Sequence, residues 1–172
     1  ILDHGCKALA AKWTQSPHKG NPITRSLNAL ALLASGEPAY LPLVKQEAEW
    51  AAGYSAGSMQ SWHYGYVMML LAEYVLATGD QAVMPGLRRL AMETAMGQSA
   101  VGSWGHKFAL PDGRLGGYGM MNSPGVPLTI ALVLAREAGV KDPAVDRAIA
   151  RSTSLLRFYI GKGAVPYGDH HP

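Results

Sequence analysis

Apolar residues recur at helical spacing along most of the chain and almost nowhere alternate as a strand requires. ITRSLNALALLASG (23–36) carries leucine and alanine at three- and four-residue intervals and stops at Gly36, a residue suited to a left-handed C-terminal cap. PAYLPLVKQEAEWAAGY (38–54) follows, with Pro38 near its start, where a missing N–H is tolerated. The pattern returns in YGYVMMLLAEYVLATGD (64–80), which holds Gly79 near its end, and in QAVMPGLRRLAMETAMG (81–97). It returns again in PGVPLTIALVLAREAG (124–139), closed by Gly139, and in DPAVDRAIARSTSLLRFYIG (142–161). There Asp142 before Pro143 reads as an N-cap. GCKALAAKWTQ (5–15) is one further helix ahead of these pairs, so seven helices are expected.

The first helix of each pair is apolar almost all round; between Tyr64 and Thr78 the only charged residue is Glu73. The second helices carry Arg88, Arg89 and Glu93, or Asp146, Arg147, Arg151 and Arg157, as an exposed-looking face. A helix apolar on all sides is buried and an amphipathic one covers it, so an inner layer sheathed by an outer layer is expected. Each pair ends in a joint that combines an aromatic, a glycine and a histidine: SMQSWHYGY (58–66), VGSWGHKF (101–108) and AVPYGDHHP (164–172), with SPHKGNP (16–22) at the corresponding place after the first helix. The intervals Gly36 to Trp62, Gly79 to Trp104 and Gly139 to Tyr167 are nearly equal, the mark of a repeat.

The fold class is therefore all-α: repeated helical hairpins forming a partial α/α-toroid, with an open α-solenoid as the alternative. The glycine- and aromatic-rich joints, GSWG (102–105) above all, resemble those of the α/α-toroid superfamily of terpene cyclases, protein prenyltransferases and complement thioester domains. The stretch 23–172 is also similar to an uncharacterised bacterial family known only as a domain of unknown function. The superfamily resemblance implies a ring of five to seven hairpins. Three hairpins then suggest one domain over 1–172 that is a fragment of a longer chain, its open edges covered by the rest of that chain or by a homodimer mate.

Composition narrows the classes. Hydrophobic residues make up 48% of the 172 and charged residues 16%, enough for one sizeable core and against disorder. The net charge of +3 comes from scattered basic residues, not from the clustered stripe of a nucleic-acid binder. Cys6 is the single cysteine, which excludes an internal disulfide and a multi-cysteine zinc site. No apolar run is long enough to span a bilayer, since Glu73 interrupts the best and Arg136 ends the next.

Chemistry concentrates in the joints. His18, His63, His106, His170 and His171 fall there, five of the six histidines. If the inner helices run parallel, their N-termini converge at the same end with unpaired N–H groups, an electropositive and aromatic face suited to an anionic or sugar-like ligand. His63, Tyr64, His106 and Tyr118 are the candidate catalytic residues, able to take and return protons as a polyuronate lyase requires. Trp62, Trp104, Arg114, Asn122, Asp169 and His170 are the candidate ligand-binding residues. The plain alternative for Trp62 and Trp104 is packing between hairpins, and for the histidines capping of loop carbonyls. The third joint is lengthened by KFALPDGRLGGYGMMNSPG (107–125), whose five glycines and PDG turn set Arg114, Tyr118 and Asn122 on a loop over the ring mouth.

Specific chemistries leave few traces. The D-x-D-D motif of squalene-type cyclases and the Cys-Gly-Glu-Gln run of thioester domains are absent. GDHH (168–171) follows a helix and not the parallel strand of a two-metal phosphoesterase. A cation shared by His63, His106 and His170 lacks tight ligand spacing. Glu73 is expected as a buried acid bonded to a tyrosine. Metal, cofactor and catalysis stay open at this point: a small-molecule or carbohydrate ligand is the leading expectation, and a non-catalytic scaffold module is the alternative.

Overall fold

The computed structural model describes residues 2–15, 20–57 and 59–168. The described residues form seven α-helices: α1 (Leu2–Gln15), α2 (Pro22–Ala34), α3 (Leu41–Ala52), α4 (Gln60–Thr78), α5 (Met84–Met96), α6 (Asn122–Glu137) and α7 (Pro143–Arg157). Single 3₁₀ turns, Pro38–Tyr40 and Gln81–Val83, lead into α3 and α5. Strand pairing among the described residues is limited to two isolated antiparallel bridges, Trp104 with Met121 and Met121 with Gly168.

The helices pair as the sequence predicts and stack in two layers. In the inner layer α2 packs on α4 and α4 on α6; in the outer layer α3 meets α5 and α5 meets α7. Each outer helix also packs on the inner helix of its own pair, while α1 lies against α2. α4 is the centre of the core. Val67, Met68, Leu70, Leu71 and Ala72 are fully buried, which accounts for a helix without a polar side. α2 and α6 flank it and each keeps one apolar side open, shown by Leu27 and Ile130.

Local chemistry sets the ends of the elements. Asn21 caps α2 by accepting the Ile23 N–H at 2.8 Å, and Asp142 caps α7 by accepting the Ala144 N–H at 2.9 Å. Gly79 ends α4 at φ 72°, a left-handed turn that a residue with a Cβ adopts only under strain. α4 and α6 approach closely where Gly65 faces Pro127: a Cβ at Gly65 would lie 3.1 Å from the Pro127 Cβ. A buried ion pair joins the first hairpin, with Arg25 Nη2 2.8 Å from Glu47 Oε2 and the guanidinium 3.6 Å from the Trp50 ring centroid. No helix of the described residues is long and apolar enough to cross a membrane.

Candidate functional site

The joint at 58–66 is mostly helix. α4 begins at Gln60, four residues before the apolar run, so Trp62, His63 and Tyr64 occupy its first turns. Successive helical residues project about 100° apart, and these three side chains accordingly go to three different places. Trp62 goes to the 104–108 loop and to Tyr167. His63 goes to Tyr54, whose Oη lies 2.7 Å from His63 Nδ1. Tyr64 goes inward, 1% exposed, and donates to Glu93 at 2.5 Å.

Trp62 organises the open face. Its Nε1–H donates to His106 Nδ1 at 3.0 Å, with the two rings stacked at 6.1 Å between centroids. Tyr167 lies 6.2 Å from Trp62, and Tyr118 meets the His106 ring edge-on at 5.6 Å. An indole can only donate, so His106 Nδ1 is the acceptor and the proton of the neutral ring belongs on Nε2. Tyr118 and Tyr167 are 59% and 46% exposed, leaving an aromatic rim open to solvent.

Beside the rim is a cleft of about 470 Å³ between the start of α6 and the 165–167 segment. Its lining is mostly apolar, from Val126, Pro127, Val165 and Pro166, with Asn122, Ser123 and Tyr167 adding polar groups. Asn122 Nδ2 donates to the Pro166 carbonyl at 2.9 Å and to Tyr159 Oη at 3.3 Å. Asn122 Oδ1 and Ser123 Oγ are buried without a hydrogen-bond partner among the described residues. Unpartnered buried oxygens are costly, and these two belong to neighbouring residues that line the cleft.

The expected face of free helix N-termini is not built. Ser61 N–H of α4 donates to the His106 carbonyl at 3.3 Å, and Asn122 and Ser123 N–H of α6 donate to the Tyr167 carbonyl at 2.8 and 3.3 Å. The loops after α5 and α7 thus return to cap the inner helices of their own pairs, α4 and α6. These amides, which a helix cannot satisfy internally, are spent on the fold and leave little for an anion.

Several candidates lie apart from this face. Trp104 is fully buried and its Nε1–H donates to the Thr94 carbonyl at 2.9 Å, so it packs in the core and has no surface for a ligand. Arg114 pairs with Asp112 at 2.6 Å on a separate surface depression with Ser99 and Met120. Tyr64 is held by Glu93, and burial together with that hydrogen bond raises its pKa, so it does not take protons near neutrality. Burial raises Tyr54 and lowers His63. Asp169, His170, His18 and His171 lie outside the described residues. Among the described residues no three His, Cys, Asp or Glu side chains gather as a metal site.

Glu73 is not the buried, tyrosine-bonded acid expected from the sequence. The two tyrosines of α4 that bond carboxylates take other partners, Tyr64 with Glu93 and Tyr74 with Asp80 at 2.9 Å. Burial and Asp80 push the Tyr74 phenol up to about 12. Glu73 instead stands half-exposed on the open side of α4. Arg89 and Glu93, expected on an outer face, brace the joint: Arg89 bonds Glu93 at 3.1 Å and the carbonyls of Tyr54 and Ala52 at 2.6 and 3.3 Å. Tyr54, Tyr159 and Ser123 also belong to the joint and carried no signal in the sequence beyond their residue types. Only the i, i+4 spacing of Arg89 and Glu93 hinted at a pair.

This is an all-helical fold of two packed layers, with Trp62, His106, Tyr118 and Tyr167 brought together at one joint. The chain belongs to the family described as "Domain of unknown function (DUF6288)", whose model matches residues 1–172. No curated protein and no solved structure matches it.

Proposed function

We propose that the chain is a ligand-binding module that takes an uncharged carbohydrate at the joint face, within a sector of an α/α-toroid. The observation that carries this reading is the aromatic rim of half-buried Trp62 with exposed Tyr118 and Tyr167, beside a cleft lined by Asn122 and Ser123, whose Oδ1 and Oγ are unpartnered among the described residues. Sugar rings present apolar C–H faces that stack on aromatic rings, and hydroxyls that satisfy lone amide and hydroxyl oxygens. An anionic sugar finds less here, because Arg114 is ion-paired elsewhere and the first-turn amides of α6 are capped. The side-by-side packing of successive inner helices and of successive outer helices supports the toroid sector.

A binding role is favoured over catalysis by the dispersal of the proton-transfer set. Of His63, Tyr64, His106 and Tyr118, only His106 and Tyr118 touch, and no described carboxylate lines the cleft. Glycoside hydrolysis needs two facing carboxyl groups. The test is calorimetric titration of neutral and uronate oligosaccharides into the wild type, Trp62→Ala and Tyr167→Ala, with circular dichroism confirming that both variants fold. Binding of a neutral oligosaccharide that weakens about two- to tenfold in each variant, as loss of a stacking ring predicts, supports the reading. Equal affinity in the variants, or preference for uronates, removes it. Absence of binding to any sugar leaves the joint as a structural brace of a scaffold module.

A further inference from the structure

We propose that the groove between α2, α4 and α6 is a second binding site, one that takes a small cationic amphiphile: an apolar body with a single ammonium head that pairs with Glu73. The site is separate from the joint-face cleft and does not depend on the carbohydrate reading.

The groove follows from the two-layer packing. α4 is covered by the outer layer on one side and by α2 and α6 on its flanks, which leaves one narrow stripe uncovered. Met69, Glu73 and Ala77 recur at four-residue intervals along that stripe, one above the other on a single helical face. Leu30 and Leu33 of α2 form one wall and Ile130 and Leu134 of α6 the other. The space is about 470 Å³, within the range of small-ligand sites.

Glu73 is the only charged residue of that lining, in a helix that is otherwise uncharged from Tyr64 to Thr78. It makes no hydrogen bond or ion pair among the described residues, although the other half-exposed acids of the core region, Glu93 and Asp80, are both engaged. A carboxylate between leucine, isoleucine and methionine walls loses part of its hydration without a compensating partner. An ammonium head restores that loss, and an alkyl body covers the four wall residues and Met69. A neutral ligand gains only the apolar contact. An anionic one meets like charge.

The experiment titrates octylammonium, octanol and octanoate, each below its aggregation threshold, into the full chain and into Glu73→Gln and Ile130→Asn. Both positions are partly exposed, so neither substitution threatens the fold. Octylammonium is expected to bind the wild type about two- to fivefold more tightly than octanol, the scale of a half-exposed ion pair, with octanoate weakest. Glu73→Gln should abolish that preference while octanol affinity stays unchanged, and Ile130→Asn should weaken both ligands. Equal binding of amine and alcohol to the wild type overturns the proposal. So does a preference that survives Glu73→Gln, indifference to Ile130→Asn, or no binding of any of the three.

Discussion

Truncating Trp104 removes a fully enclosed indole and the donor to the Thr94 carbonyl, so Trp104→Ala should cost about 3–5 kcal/mol in urea denaturation. Trp62→Ala removes a half-buried ring and one bond to His106 and should cost under about 1.5 kcal/mol. Comparable losses in the two variants would contradict the assignment of one ring to the core and the other to the rim. His63 gives a test with a sign. Burial holds its imidazole below the ordinary 6.5, so the native state binds fewer protons than the unfolded chain just below that value. Stability should therefore fall as pH drops through 6.5 and level off once the native ring protonates. His63→Gln should flatten that limb in denaturation curves measured on either side of pH 6.5. An unchanged slope would show that the ring is not shielded by Tyr54 and the joint.

Element by element, two glycines separate packing from propensity. Gly86 sits in α5 against the end of α3, where a Cβ would come within 2.4 Å of the Ala52 carbonyl oxygen. Gly86→Ala must push the two outer helices apart. The overpacking outweighs the roughly 1 kcal/mol gained in helix propensity, for a net loss of about 1–3 kcal/mol. Gly5 in α1 has open space around it, so Gly5→Ala should stabilise by up to about 1 kcal/mol. Thermal unfolding of the pair checks both signs. The same contrast explains which boundaries the sequence reveals. Gly36, Gly79 and the Asp142–Pro143 start are legible because the residue that ends or begins the helix acts locally. The starts of α4 and α6 are not. Their N-cap residues, Met59 and Met121, make no side-chain cap, and carbonyls of His106 and Tyr167 some forty residues away do that work. Reading Trp62 and His63 as loop residues ahead of a helix that starts at Tyr64, when all three are neighbours on one helix and face apart, is the direct consequence. Residue type and the repeat interval point to His106, Tyr118, Asn122 and Tyr167 as joint residues, whereas the docking of the 165–167 segment on the start of α6, and so the cleft, depends on a return of the chain that no local pattern encodes.

At the scale of the molecule, stability should be graded from α4 outward. α4 touches both neighbouring inner helices and two outer ones, and its burial is the most complete in the chain. α1 has α2 as its main neighbour, and of residues 2–13 only Cys6 and Ala10 are buried. Opening α1 therefore exposes little apolar surface, while opening α4 separates every layer contact. Native-state hydrogen exchange should show α1 amides exchanging first through local opening, and α4 amides of 67–75 exchanging last, at the free energy of global unfolding. The joint provides the finer test of how the layers are held. Ser61 N–H and Asn122 N–H are bonded to carbonyls of two different return loops, so their protection reports whether each loop stays docked on its own hairpin. Protection of these first-turn amides comparable to the middle of α4 is expected if the capped joint is part of the rigid body. Rapid exchange at Asn122 with slow exchange at Ser61 would instead mean that the 165–167 segment opens independently, and that the cleft beside it is formed only part of the time.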